Sequence, residues 1–427
     1  MIEPTPPRSP WKILGSALLA VILIAGLLLL SLGSLFQKGN NSSPPLPEKM
    51  AARIQAIERE AVAIRGLRPK RPVKVHLLAA RAFTTLITHV FSSSNTPGQL
   101  RIGDIEGVLS GAFPPGTNLA KVVNSGLPSQ VAGWYDFHTK QLYVRDSGQA
   151  LGIDRWALAH EYTHAMQDQY FNLAKVQPDQ THWKIRNSDA QLAEHSLVEG
   201  DAVEVQNQFL ADYYSQAEMR ALFRSQQSSG GSQVPRTIEE GFNFPYTDGP
   251  SYVQYLLTRG GYTAVNHAFR HPPQTTFQLM FPGRAIRVTR VHLTRVLGPF
   301  RTWRIVDDDV NGAFGYQQLV ELQLPLTQAS RLALLWRGDR YVLLRKGPRY
   351  AMLLESVYAD RNAAQTAEQI VGSALARRFG GLLPTVAGGW TGNGHIDAAI
   401  ALRGRRLFLA FGHSPKTVKR LVVAPTR

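Results

Sequence analysis

Two histidines four positions apart, His160 and His164 in "HEYTHAMQDQ", constrain this chain more than any other feature. Residues at i and i+4 share a face only on a helix, one turn apart, so a pair that acts together requires helix around it. That spacing lets two imidazoles take adjacent corners of a tetrahedral zinc, while Glu161 beside the first can reach a water there without binding the metal. Zinc brings the pKa of such a water toward about 7, and a carboxylate can then take its proton as it attacks a carbonyl. The chain has no cysteine. Disulfides, thiolate sites, cysteine nucleophiles and iron–sulfur clusters are excluded, which leaves His, Asp, Glu and backbone oxygen as donors.

A hydrolytic zinc needs a third protein ligand and an open fourth position. The pattern predicts a helix from about Asp154 to Leu173, with Asp154 as N-cap, and a second from about Ser188 to Ser215. On the second lie Glu194, His195, Glu199, Asp201 and Glu204. Glu199 in "LVEGDAV" is the choice, because Gly200 beside it permits another helix to come close. His195, one turn before Glu199, is expected either as a ligand or as a hydrogen-bond donor behind the metal. Asp168, one turn after His164, is read either as the acceptor of that ring's free N–H or as a solvated or capping acid.

The rest of the chain falls into blocks. Residues 1–12 form a short tail. Residues 13–36 carry no charge; at 1.5 Å per residue they would span about 36 Å of helix, enough for a hydrocarbon core of roughly 30 Å. A single-pass N-terminal anchor is expected there, with the bulk of the chain extracytoplasmic. Polar, proline-rich residues 37–47 read as a linker. Residues 1–283 carry 25 Lys and Arg against 22 Asp and Glu, a net of +3, and within them 48–283 read as one mostly helical domain, in which "VAGWYDFHTKQLYVRD" forms a strand, a turn at Asp136–Thr139 and a second strand. From 284 to 427 the texture changes to short strands mixed with helices, and 22 basic residues face 9 acidic ones, a net of +13. That excess is nearly all arginine and suits anionic lipid or polymer. No nucleic-acid motif accompanies it, so no specific nucleic-acid partner is expected. "RGDR" at Arg337–Arg340, between strand-like segments, is read as a hairpin turn.

HExxH followed on a later helix by Glu-Gly-x-Ala resembles the gluzincin zinc metallopeptidases, those like aminopeptidase N and leukotriene hydrolase; "EGDA" at Glu199–Ala202 matches the second element. The resemblance implies Glu199 as third zinc ligand. It extends to "FPYTDG", similar to the family's Tyr-x-x-Gly segment, and implies Tyr246 as the group that stabilises the oxyanion. Uncharacterised bacterial membrane-anchored proteins of this type carry similar "HEYTHAMQDQYFNL" and "GGYTAVN" segments. The family's Gly-x-Met-Glu-Asn segment, whose Glu holds a free substrate amine, is missing; "VAGWYDFHTKQLYV" stands in its place, with Asp136 the nearby acid. The expectation is therefore a membrane-anchored zinc endopeptidase acting on peptide or protein, with Glu161 as general base. The alternative is a catalytically inactive scaffold of the same fold that engages anionic surfaces. The expected fold class is α+β: a transmembrane helix, a zincin-like helical domain with a small edge sheet, and a basic α+β domain.

Overall fold

A computed structural model describes residues 47–94, 96–126, 131–146, 155–178, 186–227, 234–293, 300–381, 383–385, 388–393 and 395–423. It divides into two compact units built from interleaved segments. The first takes residues up to 95, 121–179 and 194–272; the second takes 96–120, 180–193 and 273–427.

In the first unit, helix α1 (Glu48–Arg65) leads to strand β1 (Lys74–Ala79) and helix α2 (Ala80–Ser94). Strands β2 (Gly133–Asp136) and β3 (Gln141–Asp146) complete a three-stranded sheet in the order β1-β3-β2. β1 runs parallel to β3, and β2 is antiparallel to it. β2 therefore lies at an edge. The turn between β2 and β3 closes with Lys140 in the left-handed region and its N–H on Asp136 O at 2.7 Å. The Asp136 carboxylate fastens it by accepting from His138 N, Thr139 N and Thr139 Oγ1.

The helix expected over 154–173 is α3 (Arg155–Phe171), and the one over 188–215 is α4 (Ser188–Tyr213). Every residue of α3 from Trp156 to Asp168 is buried. A helix buried on all sides normally carries apolar residues all round. This one carries His160, Glu161, His164, Gln167 and Asp168, and buried polar groups must find partners. A last helix, α5 (Arg236–Arg270), breaks at Gly260 and Gly261, where Gly261 takes φ 58°.

The second unit centres on a seven-stranded sheet. Strand β4 (Arg304–Asp309) and helices α6 (Gly312–Glu321) and α7 (Leu326–Leu335) precede the long hairpin of β5 (Trp336–Lys346) and β6 (Arg349–Tyr358). Helix α8 (Arg361–Phe379) then leads to β7 (Leu383–Thr385), β8 (Gly388–Gly392), β9 (Asp397–Arg403), β10 (Arg406–Gly412) and helix α9 (Pro415–Val423). The strand order is β4-β5-β6-β10-β9-β8-β7, antiparallel throughout. Alternate residues feed two cores. Leu343, Met352, Leu354, Ile400 and Leu409 pack with α6, α7 and α8, while Val342, Leu344, Leu353, Phe408 and Ala410 pack with α9. A sheet covered on both faces explains the nearly continuous apolar runs of "YVLL" and "LFLAF".

Two expectations are corrected here. The fold class is mixed helix and sheet without the transmembrane helix: no helix among the described residues is long and apolar enough to cross a membrane. The segment 13–36 expected to do so lies outside the described residues, as do the tail and most of the linker, and the membrane localisation built on it is withdrawn. Nor is "RGDR" a turn. It lies inside β5, at a register irregularity between Trp336 and Asp339. Asp339 is buried there and accepts from Asn311 N, Gly312 N and Trp336 Nε1 at 2.8–2.9 Å.

Candidate metal centre

His160 and His164 stand one turn apart on α3 with their rings nearly perpendicular and their Nε2 atoms 3.1 Å apart. Glu199 reaches in from α4, with Oε2 at 3.1 Å from His160 Nε2 and 3.5 Å from His164 Nε2. All three residues are buried and together could hold a metal ion. The spacing can be tested against coordination geometry. A tetrahedral ion with bonds of about 2.0–2.2 Å to N and O sets its ligand atoms roughly 3.4 Å apart. The three separations straddle that value, so the donors fit an ion of that size without rearrangement. The charges agree. Burial alone would raise Glu199, but His164, His160 and His195 hold its carboxyl well below the usual range. Burial lowers His164, yet Glu199 and Glu161 outweigh it and push the ring up to about 9. Without a metal the Glu199 carboxylate is balanced by a proton on His164, and an ion bound between these donors would take that proton's place.

Glu199 reaches this point because α4 and α5 cross at two glycines. A Cβ on Gly200 would meet the carbonyl carbon of Gly249 at 2.3 Å, and one on Gly249 would meet Ser196 O at 2.3 Å. The same crossing seats Tyr246 of α5 in the site. Its ring lies 6.4 Å from that of His160, at 25°. Its hydroxyl is buried and faces Glu199, without a hydrogen bond of ordinary length among the described residues. Burial, then the charges of Glu199 and Glu161, raise that phenol well above its ordinary range, so it keeps its proton.

Glu161 turns the other way, to the edge strand. Its Oε2 accepts the N–H of Tyr135 on β2 at 2.8 Å. Its methylenes fill the space above Gly133, where a Cβ would lie 2.5 Å from Glu161 Cγ. Burial holds the carboxyl above its usual value, opposed by His164 and His160 and assisted by Glu199.

The groups behind the ligands differ from expectation. Asp168 does not serve His164; it accepts from Tyr135 OH at 2.9 Å, Lys140 Nζ at 2.7 Å and Leu173 N at 3.1 Å. Gln167 does so instead, with Oε1 at 2.9 Å from His164 Nδ1. The amide's orientation is fixed by its other end, where Nε2 donates to Asp201 Oδ2 at 2.9 Å and Val198 O at 3.0 Å, both pure acceptors. Oε1 must then face His164, Nδ1 must carry the proton, and the Nε2 lone pair is left for the metal. Asp201 is held in turn by Arg65 Nε at 2.8 Å in a fully buried ion pair, and Arg65 is steadied by Asn266. His195 stands 3.7 Å from the other oxygen of Glu199. Burial lowers it to about 4, so it is neutral. It lies outside the three-residue group, although it shares the helix face of Glu199 as expected.

Sequence reasoning missed Gln167, the Arg65–Asp201 pair and Gly133. The first had a usable signal, since i+3 on a helix is as near as i+4. Comparison with protein-family models, curated proteins and solved structures finds no match to this chain.

Proposed function

We propose that the chain is a zinc-dependent metallopeptidase of gluzincin type that cuts internal peptide bonds. The observation that carries the reading is the convergence of His160, His164 and Glu199 at ligand-to-ligand distances, with Glu161 on the same helix and outside the donor set. When bound, zinc supplies positive charge that acidifies a water and polarises a carbonyl. Glu161, its carboxyl raised by burial, accepts the proton of the attacking water and passes it to the leaving nitrogen. Its bond to Tyr135 N fixes the carboxylate while the proton moves. The Tyr246 hydroxyl, protonated and facing the Glu199 carboxylate, donates to the oxygen on which charge develops.

The endopeptidase assignment rests on the edge strand. Asp136, the acid on that strand, is already committed to three donors of its own turn, which occupies the carboxylate that could have held a substrate amine.

The test is metal content and peptide hydrolysis of the full chain, wild type beside Glu161→Gln. One zinc per chain in both, with hydrolysis lost only in the variant, is expected; equal hydrolysis would leave the scaffold reading standing. In the same assay Tyr246→Phe should keep zinc and lose roughly 10²–10³-fold in turnover, the scale of one oxyanion donor. N-acetylated peptides should be cut as readily as free ones.

A further inference from the structure

In the second unit the sheet register gathers three arginines at one end of its central strands. β5 and β6 pair Trp336 with Tyr358, and β10 and β6 pair Arg406 with Val357. Arg337, second in β5, therefore stands beside the end of β6, where Ala359 follows, and Arg405 in the β9–β10 turn lies next to both. The chain ahead of β4 supplies the third. Thr289 N donates to Arg337 O at 2.7 Å, and Gly338, at φ +148°, leaves room for the Thr289 carbonyl, which a Cβ would meet at 2.1 Å. Arg287, two residues earlier, is thus held over the same spot. The result is a cleft of about 570 Å³ lined by Arg287, Val288, Thr289, Arg337, Ala359 and Arg405.

Among the described residues no acid lines this cleft. Among the described residues none of the three arginines makes an ion pair. Two are oriented by backbone carbonyls instead: Arg337 Nη1 by Leu334 O and Trp336 O at 2.9 and 2.6 Å, and Arg405 Nη1 by Tyr358 O at 3.4 Å. Carbonyls fix the direction of a guanidinium without cancelling its charge, and they leave the remaining N–H groups of the fork for a ligand. Three like charges held together cost free energy unless something neutralises them. Two half-buried arginines of the same sheet are paired instead, Arg406 with Glu355 and Arg340 with Asp308.

We propose that this cleft binds a small ligand carrying two or more oxyanion groups, phosphate or carboxylate. The guanidinium fork matches both bidentately. The volume falls in the range of small-molecule sites and exceeds what a single inorganic anion fills, and Val288 and Ala359 offer apolar contact to its carbon skeleton. The site is independent of the metal centre, which lies in the other unit.

The experiment is calorimetric titration of the full chain with pyrophosphate, citrate and orthophosphate at low and at physiological salt. Saturable binding of pyrophosphate or citrate, tighter than orthophosphate, is expected; which of the two wins identifies the group. Arg287→Gln and Arg405→Gln, both at exposed positions, should each weaken binding about tenfold or more, the worth of one charge-assisted contact. Arg349→Gln, at the opposite end of the β5–β6 hairpin, should leave it unchanged. Equal weakening by Arg349→Gln would reduce the effect to diffuse attraction by a basic surface, and absence of binding at low salt would overturn the site.

Discussion

At the scale of single residues the most informative side chain is Gln167, because it decides which nitrogen of His164 is free. Met has nearly its length and no amide. Gln167→Met should therefore keep the helix packed yet release His164 to either tautomer. Metal affinity, read by competition with a chromophoric chelator, is expected to fall about 10–100-fold, as is usual when the partner behind a metal-bound histidine is lost. The ¹⁵N shifts of His164 should report loss of the Nδ1–H form. Unchanged affinity and shifts would mean that Gln167 only fills space. Why the sequence pointed to Asp168 is clear in retrospect. Positions i+3 and i+4 are equally near on a helix, and a carboxylate is the commoner partner for a ligating ring. The choice is settled by what stands across the interface, Asp201 and Val198 for one residue and Tyr135 and Lys140 for the other. No local pattern encodes that. His160 and His164 were legible because their chemistry fixes their spacing, whereas Glu199 was one of several acids on its helix and was singled out by the Glu-Gly-x-Ala resemblance.

At the scale of elements, the α4–α5 crossing is the joint that brings Glu199 and Tyr246 to the same point. Gly→Ala inside a helix ordinarily gains up to about 1 kcal/mol from propensity. At Gly200 the new methyl would meet backbone atoms of Gly249 and Pro250 at 2.3–2.8 Å, and no side-chain rotation can relieve that. Gly200→Ala should lose about 1–3 kcal/mol, the cost of overpacking, and lower turnover as the helices part. Gly241→Ala, on α5 with nothing within 4 Å, should be neutral or stabilising. Chemical denaturation of the two variants decides, and equal effects would dismiss the crossing. A second element-level effect lies where α1 meets α3. Burial pushes Glu58 up to about 7, with Arg59 opposing, beside Tyr162 in the same cleft. The folded state then holds a proton that the unfolded state has released. Stability should fall as pH rises from about 4.5 to 7 and level off above. Glu58→Gln should flatten that slope in urea melts; an unchanged slope would locate it elsewhere. The helices expected about 154–173 and 188–215 are found at Arg155–Phe171 and Ser188–Tyr213, while the expected cap Asp154 lies outside the described residues. "RGDR" was misread because a bulge within a strand and a turn between strands share the same polar signature.

At the scale of the molecule, the interleaving of the two units is what a linear reading cannot supply. Ser188–Ala193 of α4 counts with the second unit and Glu194 onward with the first. The reason is a set of long-range polar contacts: Ser188 N and Oγ donate to Asp309, and Asp189 accepts from Thr276 N. Partners more than 80 residues apart leave no periodic trace. The division has a thermodynamic consequence. The donor set lies wholly in the first unit, and a metal that binds only the folded state stabilises it by RT ln(1 + [M]/Kd), about 2.7 kcal/mol at a hundredfold excess over Kd. Chelation removes that increment from the unit that holds the site. Amide hydrogen exchange in α3 and in α4 beyond Glu194 should therefore speed up on adding a chelator, and slow again on restoring zinc. Amides of β5 and β6 should keep their protection, because local opening of the second unit does not pass through the metal. His164→Ala without chelator should reproduce the fast pattern, which ties the effect to the ligands rather than to the reagent. Equal acceleration in both units would mean that the chain opens as one cooperative body, and no acceleration anywhere would mean that the three donors carry no structural metal load.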